Sequence, residues 1–543
     1  MRDFNLIDEP WIMVRCGEGE VKAVSLREAL LSAHTFSGLA GESKPQDFAV
    51  FRLMLAVLYT VFSRYDTGGQ EIDCDEDDFA LDRWKEIWDS GKLPAAPIER
   101  YLTEWHERFW LFDDEFPFYQ TNAVKEKSDC ATAKMIGTLF ESNNKARLFS
   151  DRNQEGRALS YAEAARWLIH LSQFDDIAAK QPTPKKTWCG RLSMIALTGD
   201  SLFRTLMLNY RADYDFSREK SELPAWETDR RQIAFNQQIA VPDNQAALLT
   251  VQSRNLLLCA ENGTVNGYKL AGGDWFEDEA VFDEQMTLWS GYQDKKAAHP
   301  EFKPKRYDTS KLIWQEFSGI SALTVTQKDA GHYVRPAGVI EWLHELLKYR
   351  FLSEDYTVKI CTAAVIYDYK QATSLPVLDA VSDTLTFHAK LLEDVGADWR
   401  RTIIEEIGKC EKAAHDVYML CQNLQRACGK METDSKKKEI IEQEKRDAKR
   451  EYYARIDRHF RLWLAELDPD ADREEYAQKL EYILRRTAIS YGRELTGQIG
   501  AQAIFCSSDK SSARALNIFE GSVNKLFAAA KDYQPEVKGI EQA

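Results

Sequence analysis

The sequence predicts an α+β N-terminal domain over residues 1–385, followed by an all-α four-helix bundle over residues 386–543. Three observations point there. At 543 residues the chain exceeds what a single hydrophobic core serves. Between about 185 and 380, short β-like runs (RLSMIAL, LLTVQSRNLLLC, SALTVTQ, TVKICTAAVIYDY) mix with helical ones, the pattern of an α+β body. After about residue 386 the apolar residues step by three and four in four successive stripes, the spacing of amphipathic helices in an antiparallel bundle.

The first fourteen residues, with Leu6, Ile7, Trp11, Ile12 and Val14 around Pro10, read as an extended entry with short strand pieces. Ser25 and Glu28 then form a capping box for the helix LREALLSAH. Helices follow near 46–64, 78–90 and 98–107. The first of these holds FAVFRLMLAVLYTVF from Phe48, which is shorter than the roughly 20 residues of a membrane span. It also contains Arg52, so it reads as a buried core helix. RFWLFDDEFPFYQ, from Arg108, is dense in aromatics and broken by Pro117, which predicts irregular structure packed into a core. Ser160 and Glu163 repeat the capping box before AEAARWLIHLSQF.

In the C-terminal part the first stripe runs through Ile403, Ile407, Cys410, Ala414, Val417, Cys421, Leu424 and Cys428, with Gly429 placed to end it. The second uses Tyr453, Ile456, Phe460, Trp463 and Leu467, and stops at Pro469. The third uses Tyr476, Leu480, Ile483, Thr487 and Tyr491; the fourth uses Leu516, Phe519, Val523 and Leu526. The charge run from Lys436 to Arg450 mixes both signs at helical spacing and reads as a solvated helix face.

Bulk properties bound the function. Asp3, Asp8 and Glu9 stand where a signal peptide needs a basic and then an apolar stretch, so the expected location is the cytoplasm, with no membrane partner. The ten cysteines sit singly and never as C-x-x-C, which predicts reduced thiols and no zinc site. A net charge of −16 argues against a protein that coats nucleic acid unaided. It leaves open a local basic groove, or a subunit docked on a ribonucleoprotein that others build.

Catalytic patterns are absent from the sequence. No phosphate-binding P-loop, dinucleotide fingerprint, H-E-x-x-H or nucleophile elbow occurs. The acidic run DCDEDDFALD at 73–82 invites a metal-dependent nuclease, but adjacent carboxylates in one loop diverge, whereas metal sites need them converging from separate elements. It reads as a solvated loop. His34, His106 and His170 fall in helical stretches and read as structural. The expectation is a non-enzyme without catalytic residues, cofactor or metal. The rivals are that nuclease, using 73–78, and a helical scaffold that touches no nucleic acid.

LFSDRNQEGRALS at 148–160 has no periodicity, yet offers Asp151, Arg152, Asn153, Gln154 and Arg157 for hydrogen bonding. Its meaning comes from a wider pattern. The opening NLIDEPWI, then VSLREAL, FAVFRLMLAVL, RFWLFDDEFPFYQ, the LF-polar loop-LSYAEAARWLIHLSQF unit and GRLSMIALTGDSLFRTLMLN occur in order, with looser matches at WQEF and YDYKQATSL. Together they resemble the CasA family, the large subunit of type I-E CRISPR Cascade.

That resemblance implies a non-catalytic subunit with a large mixed N-terminal domain and a C-terminal four-helix bundle. It would hold the 5′ handle of the CRISPR RNA, recognise the protospacer-adjacent motif in double-stranded DNA, help open the duplex and recruit the system's helicase-nuclease. Its other partners would be the remaining Cascade subunits.

By the same resemblance Phe149, Asp151, Arg152 and Asn153 fall on the RNA-handle loop. There an aromatic can stack on an unpaired base while Arg and Asn address phosphate and base edges. Lys370, Gln371 and Ala372 match the DNA-motif and wedge positions, with Lys269 in NGYKLAGG as a further motif lysine. Minor-groove readout is degenerate, so such a site accepts several related motifs. Where relatives carry a glycine-rich loop, this chain has DDIAAKQPTPKKTWCG with only Gly190. Lys180, Lys185 and Lys186 there are candidates for DNA-backbone contacts, and motif preference does not carry over.

Overall fold

The structure, a computed structural model, describes residues 2–72, 79–136, 157–175, 187–212, 222–231, 233–277, 280–329, 331–353, 355–367, 377–428, 435–499, 511–530 and 533. In chain order the elements begin with β1 (Asp3–Asn5), β2 (Ile12–Arg15), β3 (Val21–Val24), α1 (Leu26–Leu31), β4 (Gly38–Leu39), α2 (Lys44–Phe62), α3 (Ala80–Ser90) and α4 (Ala95–Glu104). Then come β5 (Trp110–Phe112), β6 (Asp129–Ala131), α5 (Tyr161–Phe174), β7 (Met194–Leu197), α6 (Leu202–Asn209), α7 (Gln245–Leu249), β8 (Arg254–Glu261) and β9 (Thr264–Gly272). After these are β10 (Trp289–Tyr292), β11 (Glu301–Pro304), α8 (Phe317–Ile320), β12 (Thr326–Asp329), β13 (His332–Arg335), α9 (Gly338–Lys348), β14 (Thr357–Tyr367) and β15 (Val377–His388). The chain closes with α10 (Ala397–Ala427), α11 (Ser435–Ala465), α12 (Arg473–Gly497) and α13 (Ser512–Leu526). The expected mixture of helices and strands is present.

Two compact units divide the chain. The first takes Met1–Tyr307, Ala322–Phe351 and Lys359–Thr384; the second takes Asp308–Ser321, Leu352–Val358 and Leu385–Ala543. The second unit thus draws in two short segments ahead of its helices, which no hydropathy stripe announces.

In the first unit α2 is the organising core element, buried from Pro45 to Phe62. It starts at N-cap Ser43 with Pro45 in its first turn, where a missing N–H costs nothing. It is the one helix, among the described residues, long and apolar enough to cross a membrane, and it lies wholly inside the protein. Arg52 is accommodated there by Glu284 at 2.8 Å and the Leu248 carbonyl at 3.3 Å. At the Ser25 cap only half the expected box forms: Ser25 accepts from the Glu28 amide at 3.1 Å, while the Glu28 carboxylate turns to Lys22 at 2.9 Å. The Ser160–Glu163 box is complete, with reciprocal bonds of 3.2 and 2.9 Å. The aromatic run from Arg108 folds mainly without regular structure around buried Phe109, Leu111, Phe118 and Tyr119, but it also contributes strand β5, paired with β1.

Three of the sheets have three strands each: β3-β2-β4, β6-β9-β8 and β15-β14-β7. In the second of these β8 and β9 form a hairpin whose tip, Asn262-Gly263, has φ of 52° and 79°, the left-handed pair that a tight two-residue turn needs. A four-stranded sheet runs β11-β10-β13-β12.

In the second unit α10 packs against α11, α12 and α13, and α12 packs against α11 and α13. Two tryptophans tie the turn between α11 and α12: Trp399 donates to the Pro469 carbonyl at 2.9 Å, and Trp463 and Tyr476 exchange bonds with each other's carbonyls at 3.0 Å. From the recruited segment Asp308–Ser321, Trp314 stacks on Phe460 at 4.2 Å and donates to Asp457 at 2.8 Å.

The stripes hold with corrections. On α13 the buried residues include Ala515, Phe519 and Val523, while Leu516 and Leu526 are half-buried, and Tyr476 at the start of the third stripe is half-buried too. On α12 the buried residues are Leu480, Leu484, Ala488 and Tyr491; Ile483 and Thr487 are half-buried. The face turns because Gly492 is pressed by Phe519, so close that a Cβ there would sit 2.3 Å from the ring. Cys428 is exposed at the helix cap, and Cys421 is only half-buried, because the stripe drifts off the core as α10 ends. Within the charged run Lys445 is buried, with its stem under the helix contact and its ammonium 2.7 Å from Glu442 and 4.7 Å over Tyr418.

Candidate nucleic-acid interface

Most of the positions that the resemblance singles out lie outside the described residues. These are Phe149, Asp151, Arg152 and Asn153 in 137–156; Lys180, Lys185 and Lys186 in 176–186; and Lys370, Gln371 and Ala372 in 368–376. The acidic run 73–78 lies outside them too. What the structure does define is how the chain on either side of each segment is held.

The first segment leaves and returns to one place. Before it, β6 pairs with β9, and Met135 and Ile136 are buried. After it, Leu159 exchanges two backbone bonds with Val265 of the same β9, at 2.9 and 2.8 Å. The Thr132 hydroxyl donates to the Arg157 carbonyl and so joins the two ends directly. Three residues past Leu159 the chain is already in α5, fixed by the Ser160 capping box.

α5 then carries the frame to the second segment. From Ala164 to Phe174 every residue is buried. Arg166 clamps the helix by donating to the Glu42 carboxylate and, at 2.7 Å, to the Trp11 carbonyl. His170 stacks on Phe174 at 5.2 Å, and burial pushes its pKa down to about 4, so it is a neutral core side chain. At the helix end Asp175 pairs with Arg254 at 3.3 Å, both buried. Beyond the segment, Trp188 donates to Glu284 at 2.8 Å, the same carboxylate that holds Arg52. The second segment is therefore anchored at both ends in the core.

The third segment is the connection between the paired strands β14 and β15. At its start the Tyr367 hydroxyl donates to the Phe174 carbonyl, which lies one residue before the second segment's anchor at Asp175. Three stretches far apart in sequence thus share one frame, α5 with β9. Fourteen residues of helix place the first and second attachment points about 20 Å apart.

Lys269 is the one site candidate inside the described residues. It sits on β9 opposite Asp129, pairs with that carboxylate at 3.1 Å and donates to the Lys127 carbonyl at 2.9 Å. Asp129 is 74% exposed, and exposed pairs of this kind are worth roughly 0–1 kcal/mol, so exchanging Asp129 for a phosphate costs little. Among the described residues no group of three or more His, Cys, Asp or Glu stands together as a metal site.

The class of protein defined so far has a mixed helix-and-strand unit, in which α5 and β9 hold the chain on either side of three segments, and a second unit built mainly of helices. The chain belongs to the CRISPR-associated protein Cse1 family, whose model matches residues 5–491. It is 35% identical over 214 residues to the CasA/Cse1 protein of Thermus thermophilus, a match covering 38% of this chain and 40% of that relative's length. The crystal structure of Thermobifida fusca Cse1 superposes with a TM-score of 0.80 at 24% identity, over 97% of this chain and 99% of that one. A chain of a CRISPR RNA-guided surveillance complex superposes with a TM-score of 0.67 at 15% identity, over 96% and 100%. These structural likenesses show a shared fold.

Sequence reasoning missed the frame itself. The Tyr367–Phe174 bond spans 193 residues, and neither partner carries a local signal of it.

Proposed function

We propose that the chain is the large, non-catalytic subunit of a type I-E CRISPR RNA-guided surveillance complex, working in the cytoplasm with the other Cascade subunits. In this reading Phe149, Asp151, Arg152 and Asn153 hold the 5′ handle of the CRISPR RNA. Lys370, Gln371 and Ala372, with Lys269, read the protospacer-adjacent motif and wedge open the duplex, and Lys180, Lys185 and Lys186 touch its backbone. The helices α10–α13 form the family's four-helix bundle, and the assembled subunit recruits the helicase-nuclease.

The observation that carries this reading is the shared frame. Positions assigned separately to RNA and to DNA attach to the two ends of α5 and to β9. A rigid support of that kind lets a handle contact and a motif contact act at fixed spacing. A wedge repays a few kcal/mol of unstacking only if RNA–DNA pairing follows nearby. The acidic net charge fits a subunit whose partners supply most of the positive field.

The test is co-expression with a CRISPR RNA and the backbone subunits, followed by binding to duplexes with a randomised motif. Stoichiometric co-purification and enrichment of a small set of related motifs support the proposal. Failure to associate, or metal-dependent cleavage of DNA by the chain alone, overturns it.

A further inference from the structure

The aromatic run from Arg108 has no part in the function above, yet it builds a cleft. Residues 116–122 face the turn 225–231 across a cavity of about 30 Å³ that is partly open to solvent. The walls are fixed: Thr121 donates to the Arg230 carbonyl at 2.9 Å, the Leu258 amide donates to the Gln120 side chain at 2.7 Å, and Trp226 donates to the Tyr101 hydroxyl at 2.7 Å. Behind them Phe118 packs against Phe109 and Trp226, with ring centroids 4.9 and 6.1 Å away.

The rim is rich in arginine. Arg108 lies 4.0 Å over the Phe116 ring, and Arg231 lies 4.7 Å from the same ring. Arg230 is held by Asp274 at 2.7 Å and Asn255 at 3.0 Å, and its buried Nε has no hydrogen-bond partner. The lining holds three arginines and Glu115, and once Asp274 on Arg230 and Asp229 on Arg231 are counted the charges balance, so Arg108 is the cation there with no carboxylate bonded to it. Arg108 is the telling member. Its hydrogen bond goes to the Thr228 carbonyl, not to a carboxylate, and burial lowers its pKa. Arg231 is 52% exposed and meets Asp229 through Nε and Nη2, the latter at 2.6 Å, so an incoming phosphate competes with that carboxylate for the guanidinium fork. Tyr119 in the same wall holds φ at 57°, a left-handed conformation that costs a bulky residue on the order of 1–3 kcal/mol and clusters at ligand sites.

The room fits about two water-sized groups. That is room for phosphate oxygens reaching in from the open side, and too little to enclose a whole base. Guanidinium forks match phosphate oxygens two at a time. We propose that this cleft binds one phosphate group of a single-stranded nucleic acid, gripped by Arg108 and Arg231 with Arg230 behind them, while the strand runs on outside. The cleft's lining shares no residue with the handle and motif positions, and the proposal does not depend on their roles.

The test uses the purified full chain and fluorescein-labelled single-stranded DNA and RNA decamers, followed by anisotropy at low salt. Inorganic phosphate is the competitor, with chloride at equal ionic strength as control. Arg108→Gln and Arg231→Gln each weaken binding about tenfold, the loss expected for one charge-assisted contact. Phosphate displaces the strand where chloride does not. If Arg108→Gln fails to fold, the exposed Arg231→Gln carries the test. Unchanged affinity in the folded variants, phosphate no better than chloride, a polyglutamate peptide that competes as well as phosphate, or binding of free phosphate without binding of either decamer would each overturn the proposal.

Discussion

Arg52→Met is the sharpest test of how the core anchors the chain that follows residues 176–186. Arg52 and Glu284 are each 1% exposed and 2.8 Å apart. Methionine keeps most of the stem's volume, so the change removes a charge more than it opens a cavity. Glu284 is left with the Trp188 indole at 2.8 Å and the Met286 amide at 3.2 Å, two neutral donors for a buried carboxylate. Breaking a buried pair on one side costs about 3–5 kcal/mol. That is roughly a hundredfold to a few thousandfold in the unfolding equilibrium, and a large share of the ~5–15 kcal/mol that holds a typical domain. Adding Glu284→Gln removes the orphaned charge, so the double variant is more stable than Arg52→Met alone. Urea unfolding of the full chain at pH 7.5, followed by tryptophan fluorescence, measures both. An Arg52→Met variant within 1 kcal/mol of the parent, or a double variant no more stable than the single, refutes the reasoning.

Two further outcomes follow from the same geometry. Tyr367→Phe removes the bond to the Phe174 carbonyl and is expected to weaken duplex binding by the assembled complex several-fold, without changing assembly on the RNA; equal binding in a gel-shift titration contradicts the shared frame. In the second unit Glu406 and Glu481 are both buried and share the Lys409 ammonium, and burial pushes Glu406 up to about 7. From pH 4.5 to 7 the folded state keeps a proton that the unfolded chain has released, so this group's stabilisation falls as pH rises, by about 3 kcal/mol at most. Glu406→Gln is therefore expected to flatten the decline of the helical unit's unfolding midpoint between pH 5 and 8; an unchanged decline contradicts that assignment.

Much of the fold was legible because its cause is local. The stripe Ile403, Ile407, Cys410, Ala414 and Val417 is a periodicity, and a helix has no other way to bury it. The Ser160 capping box was readable for the same reason. The turn of the α12 face toward Leu484 and Ala488 was not, because it depends on Phe519 arriving from another helix. Arg52 is similar: its presence in an apolar helix was visible, but its partner lies 232 residues away. The candidate contact residues became visible through resemblance, since loops such as LFSDRNQEGRALS have no period from which to read a role. The arginine cleft was hidden because Arg108 and Arg231 meet only after folding, over a ring between them.

The central claim of the proposed function is that a strongly acidic chain reads DNA through a few side chains in segments attached to a rigid frame. The direct measurement is motif-dependent duplex binding by the reconstituted complex carrying Gln371→Ala, with the parent and Phe149→Ala alongside. Gln371→Ala is expected to assemble normally and lose tenfold or more in duplex affinity, while Phe149→Ala weakens association with the RNA-bound complex. Parent-like assembly and parent-like duplex affinity in both variants would contradict the claim.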